Sequence, residues 1–173
     1  YGLYAINSNS YFASDEIEAI EDAFSAWESV ANIRFVRLTG TSGAWTYDPD
    51  GRSFLASSAD IAVGFAGSAL PEVTDGALAI AFYPNPSIVE DLYSELSDWG
   101  LVDNQGNPLV FNRNTYPNPE GDILIDDHTY QWGAYLEPSE NGFHTILHEI
   151  GHALGLSHPY NNGYAGSQLT SAM

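Results

Sequence analysis

Three histidines and a glutamate fall within eleven residues near the end of the chain, at His148, Glu149, His152 and His158, with Gly155 between the last two histidines. Apolar residues Ile146, Leu147, Ile150 and Leu154 recur at helical spacing through the same segment. The segment therefore reads as a helix from about Phe143 to Leu154. Two side chains four apart on a helix share one face, one turn above the other. The imidazoles of His148 and His152 can then reach a single ion. Gly155 supplies the left-handed conformation that ends a helix and turns the chain, so that His158 can return to the same ion. Three nitrogen ligands and one open position describe a catalytic zinc site. Glu149 lies about 100° round the helix from His148, beside the ion and not on it. It is placed to act as general base on a zinc-bound water.

The rest of the chain provides a scaffold for this segment. Ile17, Ile20, Phe24, Trp27 and Ala31 form a helical stripe from about Asp15 to Ala31, with Ser14 as the expected N-cap and Glu21, Asp22 and Glu28 on the wet side. Short strands are expected at 2–6, 33–38, 61–65, 78–82 and 123–125, and a short helix within 87–99. Residues 40–58 and 84–120 are rich in Gly, Pro, Asn and Asp and read mainly as loops. No linker divides the 173 residues, so one domain is expected.

Charge narrows the partners. Four arginines and no lysine oppose 23 carboxylates, a formal charge of −19. Nucleic acid would be repelled by that field, and so would an anionic membrane surface. No apolar run is long enough to span a bilayer. With no cysteine, neither a disulfide framework nor a thiolate metal site can form.

The segment HEIGHALGLSHP at 148–159 resembles the zinc segment of the metzincin metalloproteases, of the serralysin and matrixin branch. AWESVANIRFV (26–36), ADIAVGFA (59–66), GALAIAF (76–82) and EGDILIDD (120–127) are similar to further elements of that group. The resemblance implies an α+β, zincin-like domain: a twisted, mostly parallel five-stranded sheet with an antiparallel edge strand, a long N-terminal helix and an active-site helix. It implies a secreted, monomeric zinc endopeptidase hydrolysing internal bonds of extended polypeptides. His148, His152 and His158 would be its metal ligands and Glu149 its catalytic base. Substrate would pair with the edge strand at 76–82. Met173 would open the methionine turn of the family, and the chain would be a catalytic domain truncated at or near that turn. Matrixins carry a structural zinc on a fifth-strand histidine; Leu124 stands there, so a second zinc of that type is not expected. Calcium is a possible second cofactor, with Asp126 and Asp127 as candidate ligands or, equally, solvated loop carboxylates. His144 is read as a hydrogen-bonded neighbour of the metal or a cleft residue. His128 is read as a surface loop residue, and Tyr160 and Tyr164 as cleft or packing residues. The alternative is a catalytically silent zinc-binding fragment acting as a binding module.

Overall fold

A computed structural model describes residues 1–4, 12–38, 59–65, 78–98, 108, 110, 112–114, 119–125 and 132–158. Its described elements are strands β1 (Gly2–Tyr4), β2 (Ala62–Phe65), β3 (Ala79–Ala81) and β4 (Ile123–Ile125) and helices α1 (Ser14–Val30), α2 (Pro86–Asp98) and α3 (Asn141–Ala153). A single 3₁₀ turn, Trp132–Ala134, precedes α3.

The strands form one mixed sheet in the order β1-β2-β4-β3. β1, β2 and β4 run parallel, with Leu3 opposite Val63 and Val63 opposite Ile123. β3 closes the edge antiparallel, Ile80 opposite Leu124. Two further backbone bonds, Phe82 N–H to the Asp122 carbonyl at 2.8 Å and Gly121 N–H to the Phe82 carbonyl at 2.9 Å, extend that pairing. The antiparallel edge is therefore present where it was expected.

The expected strand at 33–38 is not among the assigned strands, yet it pairs in parallel fashion with the residue that precedes β1. The segment runs alongside Tyr1, whose nitrogen donates to the Val36 carbonyl and whose carbonyl accepts from Leu38 N–H, both at 2.8 Å. Ile33, Val36 and Leu38 stay exposed. The two bonds flank Arg37 and have the pattern of a parallel pair, so the segment lies strand-fashion beside the start of β1, with one bridge among the described residues. Among the described residues the assigned sheet has four strands.

Burial follows the two periodicities. Ala19, Ile20, Ala23 and Phe24 give α1 its buried stripe. They join Val63, Ile123, Ile125, Ile146 and Ile150 in one core between α1, α3 and a sheet face. Ile123 and Ile125 share that face while Leu124, buried too, points to the other, as strand alternation requires. α1 begins at Ser14 itself, so its cap falls one residue earlier than expected. Ala13 occupies the cap position, Ile17 N–H bonds to its carbonyl, and the Glu16 carboxylate reaches back to its N–H at 2.6 Å. That backward reach is half of a capping box and satisfies the Ala13 N–H. The short helix expected at 87–99 is α2. Asn85 caps it through Ser87 N–H at 3.0 Å, and Pro86 sits at the first helical position.

Candidate metal centre and active-site cleft

α3 is held from both ends. At its start, Trp132, completely buried, donates its indole N–H to the Gly142 carbonyl at 2.8 Å, and Phe143 N–H bonds to the Tyr135 carbonyl at 3.2 Å. Midway, Trp27 of α1 donates its indole N–H to the Leu147 carbonyl at 3.0 Å. The same indole lies against Gly151, where a β-carbon would come within 3.1 Å of the ring. A larger residue at 151 would require the Trp27 ring to give way by a few tenths of an ångström.

The end of α3 sets the third histidine. Leu154 is the C-cap residue and Gly155 follows with φ +93°. Gly155 N–H bonds to the His152 carbonyl at 2.8 Å and Leu156 N–H to the Gly151 carbonyl at 2.9 Å. This pair of bonds is the Schellman closure, which needs the left-handed residue that glycine supplies. Beyond it the chain doubles back and presents His158.

The three Nε2 atoms converge. His148 and His152 are 2.9 Å apart, His152 and His158 3.1 Å, and His158 and His148 2.9 Å. A tetrahedral zinc with Zn–N bonds of about 2.0–2.1 Å separates its nitrogens by about 3.3 Å, within a few tenths of an ångström of this triangle. The donor set therefore fits zinc. His152 Nδ1 lies 2.6 Å from the Leu156 carbonyl, which can only accept, so Nδ1 carries the hydrogen and Nε2 keeps its lone pair for a metal. Burial, then the charge of the neighbouring imidazoles, holds His148 below the usual histidine range; burial does the same for His152. Neutral imidazoles are the metal-binding form.

Glu149 is buried, and burial pushes its carboxyl up to about 8. It lines a cleft of about 610 Å³ together with all three histidines. The opposite wall is Leu78, Ala79, Ile80 and Ala81, on and just before β3. Asn141, His144 and Thr145 continue the α3 wall beyond the histidines. His144 is thus a cleft residue outside the nitrogen triangle. Tyr83 also lines the cleft, its hydroxyl 3.1 Å from His152 Nδ1. No spacing rule marks Tyr83 in the sequence; only the turn after β3 brings it there. Asp126, Asp127, His128, Tyr160, Tyr164 and Met173 lie outside the described residues.

The family model for matrixin matches residues 3–165. The chain belongs to the matrixin family. No curated protein matches it. Matrixins are zinc metalloproteases with the α+β metzincin fold, and the three-histidine cluster of this matrixin is a group that could hold such an ion. A protease of this kind binds a polypeptide. Among the described residues, no helix is long and apolar enough to cross a membrane.

Proposed function

We propose that this matrixin is a zinc-dependent endopeptidase that hydrolyses internal bonds of extended polypeptides, with Glu149 as general base. The observation that carries the reading is the meeting of three Nε2 atoms within 3.1 Å of one another beside a buried carboxylate in one cleft. His148, His152 and His158 would hold the ion. When bound, zinc supplies Lewis acidity, lowering the pKa of a water toward about 7 and polarising a carbonyl. Glu149 takes a proton from the attacking water and passes it to the amine nitrogen of the leaving chain. The Leu156 carbonyl keeps His152 in one tautomer throughout.

Substrate lies along β3. Among the described residues that strand pairs with β4 on one side only, and it forms the wall of the cleft facing the histidines. An extended peptide added to such an edge gains main-chain hydrogen bonds and presents a carbonyl to the metal ligands. The usual extracellular setting of matrixins supports placing this protein outside the cell, acting as a monomer.

The test replaces Glu149 with Ala. The variant is expected to keep zinc at wild-type stoichiometry and to lose cleavage of an unfolded protein substrate by at least about a hundredfold. Normal turnover in that variant rules out the assigned base. A wild-type protein that binds zinc and peptide yet cleaves nothing is instead a binding module.

A further inference from the structure

The cleft walls differ in chemistry. Leu78, Ala79, Ile80 and Ala81 offer an apolar or backbone surface, whereas the α3 wall beyond the metal ligands consists of Asn141, His144 and Thr145. These three occupy one face of α3, at the spacing that continues back from His148. The buried side of the same turn is Phe143 and Ile146. His144 and Asn141 are exposed, and among the described residues neither side chain makes a hydrogen bond and the ring beside His144 is that of Phe143. Thr145 donates its hydroxyl to the Asn141 carbonyl at 2.7 Å, which leaves the hydroxyl lone pairs as acceptors.

We infer that Asn141, His144 and Thr145 form a side-chain subsite that selects a carboxamide, glutamine or asparagine, in the substrate. This deepens the peptidase reading and rests on it. Side chains of an extended peptide paired to β3 alternate between the two faces of the sheet, so every second one is directed to the face that α3 covers. One turn of α3 spans about 5.4 Å and one extended residue about 3.3 Å, so the His144 turn lies within one or two residues of the scissile carbonyl. A substrate side chain directed there meets an imidazole and a carboxamide, each able to donate and to accept, and a hydroxyl acceptor. A primary amide has donors and acceptors for all three. A leucine would take water from these groups and return no bond. A carboxylate would offer acceptors only and enter a protein of formal charge −19. One net hydrogen bond is worth on the order of a tenfold preference.

The test uses peptides of one sequence in which Gln, Leu or Glu is placed at each position in turn. Affinity is read with the zinc-loaded Glu149→Ala protein, which does not depend on hydrolysis, and kcat/KM is read with wild type. The expected result is one position, beside the cleaved bond, where Gln exceeds both Leu and Glu by roughly tenfold in affinity. In Glu149→Ala/His144→Leu that preference moves to Leu at the same position and leaves the others unaltered. Asn141→Ala, in the same background, lowers it without inverting it. Leu or Glu leading at that position overturns the subsite, as does a Gln preference that survives both substitutions. Binding with the Gln preference but no wild-type cleavage supports the subsite and rejects the peptidase reading, so the two fail separately.

Discussion

Replacing Gly155 tests whether the bend after α3 is what brings His158 to its partners. The backbone there has φ +93°, a region that costs an ordinary L-residue about 1–2 kcal/mol. Space is not the obstacle, because a β-carbon at 155 would meet only Pro84, at 3.5 Å. The cost is therefore torsional. It can appear in either of two places. If the metal-free protein keeps the bend, Gly155→Ala lowers its stability by about 1–2 kcal/mol, or roughly 2–8 °C in Tm for a domain of this size. If the metal-free protein relaxes the bend, stability barely changes, and zinc must restore the strained turn, weakening its affinity by about 5–30-fold. The sum of the two losses is fixed at about 1–2 kcal/mol in the zinc-loaded protein. Gly155→Asn should fall between wild type and Gly155→Ala, since asparagine tolerates positive φ better. Chemical denaturation with and without zinc, combined with competition against a chelator of known affinity, measures both terms. A Gly, Asn, Ala series that leaves both quantities unchanged refutes the claim that this torsion assembles the site.

Trp27→Phe removes the indole donor to Leu147 and leaves a gap beside Gly151; denaturation should show a loss of about 2–3 kcal/mol. In that background Gly151→Ala should be better tolerated than in wild type, and additive effects would deny the contact. Asp122 is fully buried, one carboxylate oxygen accepting from Ala62 N–H and the other with no partner among the described residues. Burial raises its pKa well above the usual aspartate value, against the pull of the Ala62 bond. Its raised folded pKa favours the native state fully below the unfolded value near 3.9, and that contribution is lost as pH climbs toward the folded value. Asp122→Asn should therefore gain stability relative to wild type as pH rises above about 4, and a constant difference across pH excludes the assignment. Chelation should lower the unfolding midpoint as well as abolish cleavage, since zinc at about a hundred times its Kd adds about 2.7 kcal/mol; an unmoved midpoint means the ion does not bind the native state.

The two helices that matter most were legible because each carries a long periodic stripe with a chemical reason at its end. Ile20 and Phe24 are buried as their spacing demands, and Gly155 stops α3 where a left-handed residue was anticipated. The histidine triangle was legible for the same reason: helical geometry and one glycine bend fix it locally. What stayed hidden depends on neighbours distant in the chain. Val36 and Leu38 look like strand residues, and they pair with Tyr1, but nothing in their own spacing names that partner. Ser14 looks like a cap, but Glu16 bonds back to Ala13 and moves the boundary. Trp132, Tyr83 and Asp122 follow no local pattern; each gains its role from a partner contributed by another element, at Gly142, His152 and Ala62 respectively.

Leu156 closes α3 with its N–H and orients the His152 imidazole with its carbonyl, so one residue serves both the stop and the histidine. The five residues from Ala153 to Ser157 consequently have no slack. Lengthening or shortening that span by a single residue would swing His158 round and displace the carbonyl from His152 together. Variation in this protein should thus spare the length of the span even where it alters the letters, and loop grafting there should fail in a way that point substitution at Ala153 or Ser157 does not.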